Sequence, residues 1–312
     1  MVAMKRQSIF FVSFGLLLAL RLAAAESPSA KMFNGQVTSV KTTGHSLKER
    51  AAEACRQWAA AKDGGSFFTA WAFPAAERIN SCQRQHAGSA SGPVTLKSRN
   101  GRIVVNADRD HGLNIADGPG VEKENAHWGV LLFLNQVENG RCRISDMELL
   151  APDRQYDLGG ERLAWLGTAG EAQGLEFIRG LLGQDGDRDL HKHAVFALYL
   201  FNGTAAVSEL IGMARRDPNA DVRKDAIFWL GQKASQAAVK ALSAVLISPE
   251  SLEIKKQAVF ALSQLPEETG TPLLLEIARR NPQSQLRKEA IFWLGQSGDP
   301  RALDLFSEIL LK

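Results

Sequence analysis

The chain has 312 residues, 45% of them hydrophobic and 23% charged, which is long enough for two domains with real cores and ordinary for a globular protein. Its formal net charge of +3 is carried by Lys5, Arg6 and Arg21, since the segment from Met1 to Ala25 contains no Asp or Glu. Without that segment basic and acidic residues balance at 34 each, so no global basic field remains to hold nucleic acid or an anionic membrane.

In chain order, Lys5 and Arg6 precede an apolar run from Ile9 to Leu20, and Ala23-Ala24-Ala25 offers an A-x-A cleavage site before Glu26. Residues 1–25 therefore read as a secretory signal peptide, too short and wrongly flanked for a membrane span. The expectation is an exported protein, periplasmic or secreted, with no membrane insertion after the leader is removed. Residues 26–32 read as a linker, and a small α+β domain is predicted over 33–150. Its elements are a strand in Gln36 to Thr42, a helix from Ser46 to Lys62 with Ser46 as N-cap, and a β-prone run from Ser66 to Phe73. Two hairpins follow, with turns at Asn100-Gly101 and Asn139-Gly140. Cys55, Cys82 and Cys142 all fall in this half. An oxidising compartment permits one disulfide among them; three buried thiols are the alternative, and spacing does not choose.

Beyond Leu150 a repeat begins and runs over 151–312, its period being the step from Ala194 to Ala226. The anchor positions are Arg162, Ala194, Ala226, Ala258 and Ala290, with Leu166, Leu198, Leu230, Leu262 and Leu294 one helical turn later. Between them the residue before each leucine alternates between Trp165, Trp229, Trp293 and the small Ala197, Ala261. A double repeat of twice that period is laid over this, so that RKDAIFWLGQ at Arg223 to Gln232 returns as RKEAIFWLGQ at Arg287 to Gln296. Such a unit cannot bury its apolar face alone and needs a neighbour with the same face. The alternation predicts tryptophans in the core, filling space left by alanines of adjacent units.

The step Asp221-Val222-Arg223 followed by Ala226 and Leu230-Gly231 resembles the HEAT-repeat consensus, close to the HEAT-like repeats of phycobilin lyases. The resemblance spans 155–312 and implies a mainly α fold: a HEAT-type α-solenoid of five helix pairs behind the small α+β domain. Over the whole chain the sequence is similar to exported bacterial HEAT-repeat proteins, a likeness that implies no chemistry.

Catalytic and metal-binding constellations are weak. His191 and His193 stand two apart on a helix, with rings on different sides. Asp185, Asp187 and Asp189 imitate a calcium loop, but Leu190 and Phe196 occupy the places of its glycine and its bidentate glutamate. Cys82 and His86 lack a second ligand pair, and Ala116 to Val121 is a turn without phosphate-loop context. Neither metal nor cofactor is expected, and no catalytic residue is assigned. Two surface features remain. Arg215-Arg216 and Arg279-Arg280 recur one double repeat apart at helix ends, where they either complement helix dipoles or clamp an acidic partner. Phe196, Phe228, Phe260 and Phe292, two past each anchor, either pack between units or form an aromatic docking row. The expected function is a non-enzymatic scaffold for a protein partner. The competing expectation is an enzyme or ligand-binding module in 33–150, which a cluster of titratable groups in that domain would favour.

Overall fold

The computed structural model describes residues 27–41, 45–59, 65–76, 79–81, 94–106, 113–115, 127–182 and 188–311. The leader 1–25, Cys82, His86, the turn at 116–121, Asp185 and Asp187 lie outside the described residues. Among the described residues the first half holds strands β1 (Phe33–Ser39), β2 (Ser66–Ala75), β3 (Ile79–Ser81), β4 (Val94–Arg99), β5 (Arg102–Asn106), β6 (Leu113–Ile115), β7 (His127–Glu138), β8 (Arg141–Leu150) and β9 (Tyr156–Thr168), with one α-helix, α1 (Leu47–Ala59). Ser46 and Glu49 cap α1 reciprocally. The Glu49 amide donates to Ser46 Oγ at 3.3 Å, and the Ser46 amide donates to Glu49 Oε2 at 2.7 Å. Both hairpins turn on their Asn-Gly pairs, each with φ of 51° at Asn and 73° at Gly. Positive φ at both central residues gives the twist that adjacent strands need.

Seven strands form one sheet in the order β5-β4-β9-β2-β7-β8, with β1 also paired to β9; β3 and β6 make a separate two-stranded ribbon. Alternation along the strands gives the sheet two apolar faces. Phe68, Ala70, Leu132, Leu134, Leu163 and Trp165 enter one core, together with Phe33 and Tyr156. Phe67, Trp71, Phe73, Leu131, Phe133, Ala164 and Leu166 enter a second core, which continues into the helices behind.

Those helices are α2 (Glu171–Leu182), α3 (Arg188–Leu200), α4 (Thr204–Arg216), α5 (Ala220–Lys233), α6 (Gln236–Ile247), α7 (Leu252–Ser263), α8 (Glu267–Arg280), α9 (Ser284–Ser297) and α10 (Pro300–Leu310). The fold class is mainly α, a HEAT-type solenoid behind an α+β domain. Its first predicted pair needs correction. Arg162, Leu163, Trp165 and Leu166 keep the repeat register but lie on β9 in the sheet, so α2 has no first-helix partner and the complete pairs are α3/α4, α5/α6, α7/α8 and α9/α10. The domain boundary moves accordingly from residue 150 to the Thr168–Glu171 junction. The physical reason is local. Gly159 and Gly160 take φ of 57° and 92°, outside any right-handed helix, and the apolar run after them has strands on both sides to pair with.

The sheet and the array meet through aromatic rings. The Trp71 ring lies parallel to that of Phe201 at 6.4 Å and edge-on to that of Phe177 at 6.2 Å. Gly174 on α2 makes room for them, since a Cβ there would stand 2.7 Å from Trp71 and 2.8 Å from Phe201. A disulfide joins Cys55 on α1 to Cys142 on β8, with Cα atoms 5.9 Å apart, which selects the pair that spacing leaves open.

Candidate functional site

The first helices α3, α5, α7 and α9 stack side by side, so equivalent positions fall into columns one repeat apart. The acidic-x-basic step works within this stack as a loop staple. Arg223 Nη1 donates to the carbonyl oxygens of Asp217 and Pro218 at 2.8 and 3.3 Å, and Arg287 repeats this on Asn281 and Pro282 at 2.7 and 3.2 Å. Arg223 also reaches Glu250 at 3.3 Å.

The aromatic positions form one stripe rather than two sets. Trp229 lies 4.8 Å from Phe196, 4.5 Å from Tyr199 and 4.9 Å from Phe228; Phe228 stacks on Phe260 at 6.1 Å. Phe260 meets Trp293 at 4.8 Å, and Trp293 meets Phe292 at 5.0 Å. This corrects the placing of Trp229 and Trp293 in the core, whereas Trp165 is buried in the sheet. Trp229 and Trp293 are half-buried like Phe196, Phe228 and Phe260, while Ala197 and Ala261 are fully buried. The alanine columns serve backbone approach, and the stripe carries ring-to-ring packing between units. Phe292 stands apart at 55% exposure, with the Trp293 ring as its neighbour.

That exposure is part of a larger open face. One repeat before Leu303, Phe306, Ile309 and Leu310 stand Thr271, Leu274, Ile277 and Ala278, all buried in the array. On α10 the same face is uncovered: Leu303, Ile309 and Leu310 are exposed, Leu310 at 84%, as is Leu311 after the helix, and Phe306 is half-buried. Beside Phe292 a cavity of about 460 Å³ opens between α7 and α9, lined by Lys256, Gln285, Lys288 and Glu289. The paired arginines are exposed, with Arg279 held 3.1 Å from Glu308. Two repeats before Glu308 stands Ala244, so Arg215 has no equivalent carboxylate there.

A titratable cluster lies where β8 meets α3, and spacing within one segment does not reveal it. His193 Nδ1 is 3.6 Å from Asp146 Oδ1, an ion-pair distance, and Arg102 is 2.9 Å from Asp189 one turn before His193. Burial works to raise the Asp146 carboxyl, but His193 and the amides of Ile103 and Met147 outweigh it and hold the group below the ordinary aspartate value. Asp146 in turn raises the His193 imidazolium against its burial, with Glu148 and Asp189 adding to the effect. Burial raises Glu148. His191 faces elsewhere, 3.7 Å from Asp217, so the two histidines share no ligand. Among the described residues no group of three or more His, Cys, Asp or Glu is placed to hold a metal ion, and no helix is long and apolar enough to cross a membrane.

Comparison with known proteins places the array. A family model for HEAT repeats matches residues 207–292, and one for the PBS lyase HEAT-like repeat matches 286–312. No curated protein matches. Among solved structures, human deoxyhypusine hydroxylase in complex with glycerol is 24% identical with a TM-score of 0.33, over 39% of this chain and 43% of that one. The chain thus spans less than half of that relative's length. The complex of CpcE and CpcF of phycocyanin lyase from Nostoc sp. PCC7120 is 19% identical with a TM-score of 0.29, over 44% of this chain and 70% of that one. The period, the stapling arginines and both family matches agree: this chain is a HEAT-repeat domain protein.

Proposed function

We propose that the chain is a non-enzymatic, exported scaffold that binds an α-helical protein through the exposed apolar residues of α9 and α10. One observation carries this reading. Phe292, Leu303, Ile309 and Leu310 are exposed, whereas Phe260 is half-buried and Thr271, Ile277 and Ala278 are buried at the same places one repeat earlier. A partner with an apolar helical surface would complete the stack as another unit does. The leader-like segment and the Cys55–Cys142 disulfide support an oxidising compartment. A photo-crosslinking residue at position 292 or 310 tests the surface in the native host, with position 215 as the control. The expected result is a discrete adduct from 292 and 310, the one from 292 being lost when Leu303 and Leu310 are changed to Asp. An adduct from 215 alone, or none from the end face, rejects this surface.

The second reading, a ligand-binding or catalytic module in the sheet domain, draws on the Asp146–Glu148–His193 cluster. On the scaffold reading His193→Gln leaves the crosslinked adduct unchanged, whereas on the module reading it abolishes the chain's activity with the adduct intact.

A further inference from the structure

Arg50 is an unusual residue to find inside this fold. It is 3% exposed on α1, and burial holds it below the ordinary arginine value with no carboxylate opposing the shift. Its Nη1 donates to the carbonyl oxygens of Leu166 and Thr168, and its Nη2 donates to Gln173 Oε1 at 2.9 Å. All three acceptors are neutral. A guanidinium has five N–H donors, so two remain, and Nε is buried without a partner. A buried charge met only by neutral acceptors is costly to hold and is compensated most directly by an anion.

Beside this side chain lies a cavity of about 420 Å³, lined by Arg50, His45, Thr168, Gly170, Ala172 and Gln173. Gly170, Ala172 and Gln173 belong to the start of α2, a 12-residue helix whose first amides have no intrahelical acceptor and whose dipole favours negative charge. Gly170 has no side chain with which to cap those amides. The carboxylates nearest in sequence are committed elsewhere. Glu171 accepts the Gly203 amide at 2.9 Å, and Glu49 caps α1 through Ser46. Cation, amides and neutral polar side chains therefore line one cavity, and its volume falls in the range of small-molecule sites, larger than a bare inorganic ion needs.

We propose that this cavity is a binding site for a small organic anion, its carboxylate or phosphate group held by Arg50 and the N-terminus of α2 and its body lying against His45 and Thr168. The proposal is independent of the docking face at the other end of the array. Arg50 itself is a poor test, because its bonds to Leu166 and Thr168 hold the end of β9. Gln173→Glu is the informative variant. It places a carboxylate where the amide oxygen now accepts from Arg50, so the anion is supplied from within.

The measurement is thermal unfolding of the whole chain in rising inorganic phosphate or acetate, at constant ionic strength set with chloride. The parent is expected to show a saturable rise in Tm with at least one of the two anions, and the tighter one identifies the head group. Gln173→Glu is expected to melt higher without anion and to bind at least tenfold more weakly. His45→Ala, at an exposed position, is expected to weaken binding without lowering the anion-free Tm. No saturable shift in the parent with either anion, or equal shifts in parent and Gln173→Glu, overturns the proposal.

Discussion

A Cβ built on Gly231 of α5 would stand 2.7 Å from the carbonyl oxygen and 3.1 Å from the Cα of Ala261 on α7. Those atoms are backbone and cannot swing aside. Gly295 occupies the same place in the second copy of the decapeptide, yet a Cβ there meets only Phe306, at 3.8 Å. The two copies therefore respond oppositely to one substitution. Gly→Ala in a helix gains up to about 1 kcal/mol of propensity, while forcing packed helices apart costs roughly 1–3 kcal/mol. Gly231→Ala is expected to lower the urea midpoint and Gly295→Ala to leave it equal or higher. Loss of stability in both variants would remove the assigned packing difference.

Trp229→Ala removes a half-buried indole that touches three rings, Phe196, Tyr199 and Phe228. Full burial would set the cost at about 3–5 kcal/mol; with part of the ring in water, about 2–3 kcal/mol is expected. Phe292→Ala, with one ring partner and an open outer face, should cost under about 1 kcal/mol. Denaturation of the two variants beside the parent separates them, and a Phe292 variant as damaged as the Trp229 variant contradicts the exposed setting of Phe292.

The Cys55–Cys142 bond closes a sequence separation of 87 residues between α1 and β8. Cross-links of this kind stabilise by about 2–4 kcal/mol, mainly through the unfolded chain. Reduction should lower the unfolding midpoint of the parent and leave a Cys55→Ala/Cys142→Ala variant unaffected. An identical midpoint with and without reductant would show that the bond contributes nothing.

The His193–Asp146 contact makes a prediction with a sign. The folded-state pKa of His193 is raised above its ordinary value near 6.5, so its contribution is fully present below that pH and disappears as pH rises through the folded value. Asp146 is lowered, so its contribution is present above its ordinary 3.8 and is lost as pH falls through the folded value. Glu148 opposes Asp146, since burial favours its neutral form, and it shares the sign of His193, its contribution being lost as pH rises. Of the three groups His193 is the one whose ordinary value falls between pH 6 and 8, and it sets the sign of the dependence in that window. The parent should therefore lose stability from about pH 6.5 upward, and His193→Gln should flatten that part of the profile. Parallel curves for parent and variant would dismiss the contact as a source of pH dependence.

Several of these features are legible in the residues and others are not, for identifiable reasons. The Asn-Gly turns, the Ser46 cap and the array from residue 188 onward follow from local chemistry and from a period that only stacked units explain. β9 hides in the repeat because Leu163 to Gly167 spells nearly the same apolar run as Ile227 to Gly231. A run that short suits a buried strand as well as a helix. The Gly159-Gly160 pair ahead of it is the available arbiter. The exposure of Trp229 escapes a helical wheel, because the wheel of one helix does not show the ring of its neighbour. The Arg50 cavity and the His193 cluster each join segments from opposite sides of β9 or of the β8–α3 gap, and at such separations one sequence carries no signal.

β9 also sets an order of events. In the strand sequence β5-β4-β9-β2-β7-β8 it is the strand that pairs with both β4 and β2, and it pairs Phe33 with Tyr156 across most of the domain. A chain made from its N-terminus therefore exposes two unfinished sheet pieces until residue 168 is available, with β2 and β4 each lacking a neighbour. The helix pairs close over short sequence distances and form quickly, whereas the sheet waits for its longest loop. During that interval the apolar strand Phe67 to Phe73 is an open template for another chain. Aggregation in this protein is accordingly a hazard of its first half and of slow synthesis, and the arrival of Leu163 to Trp165 ends it.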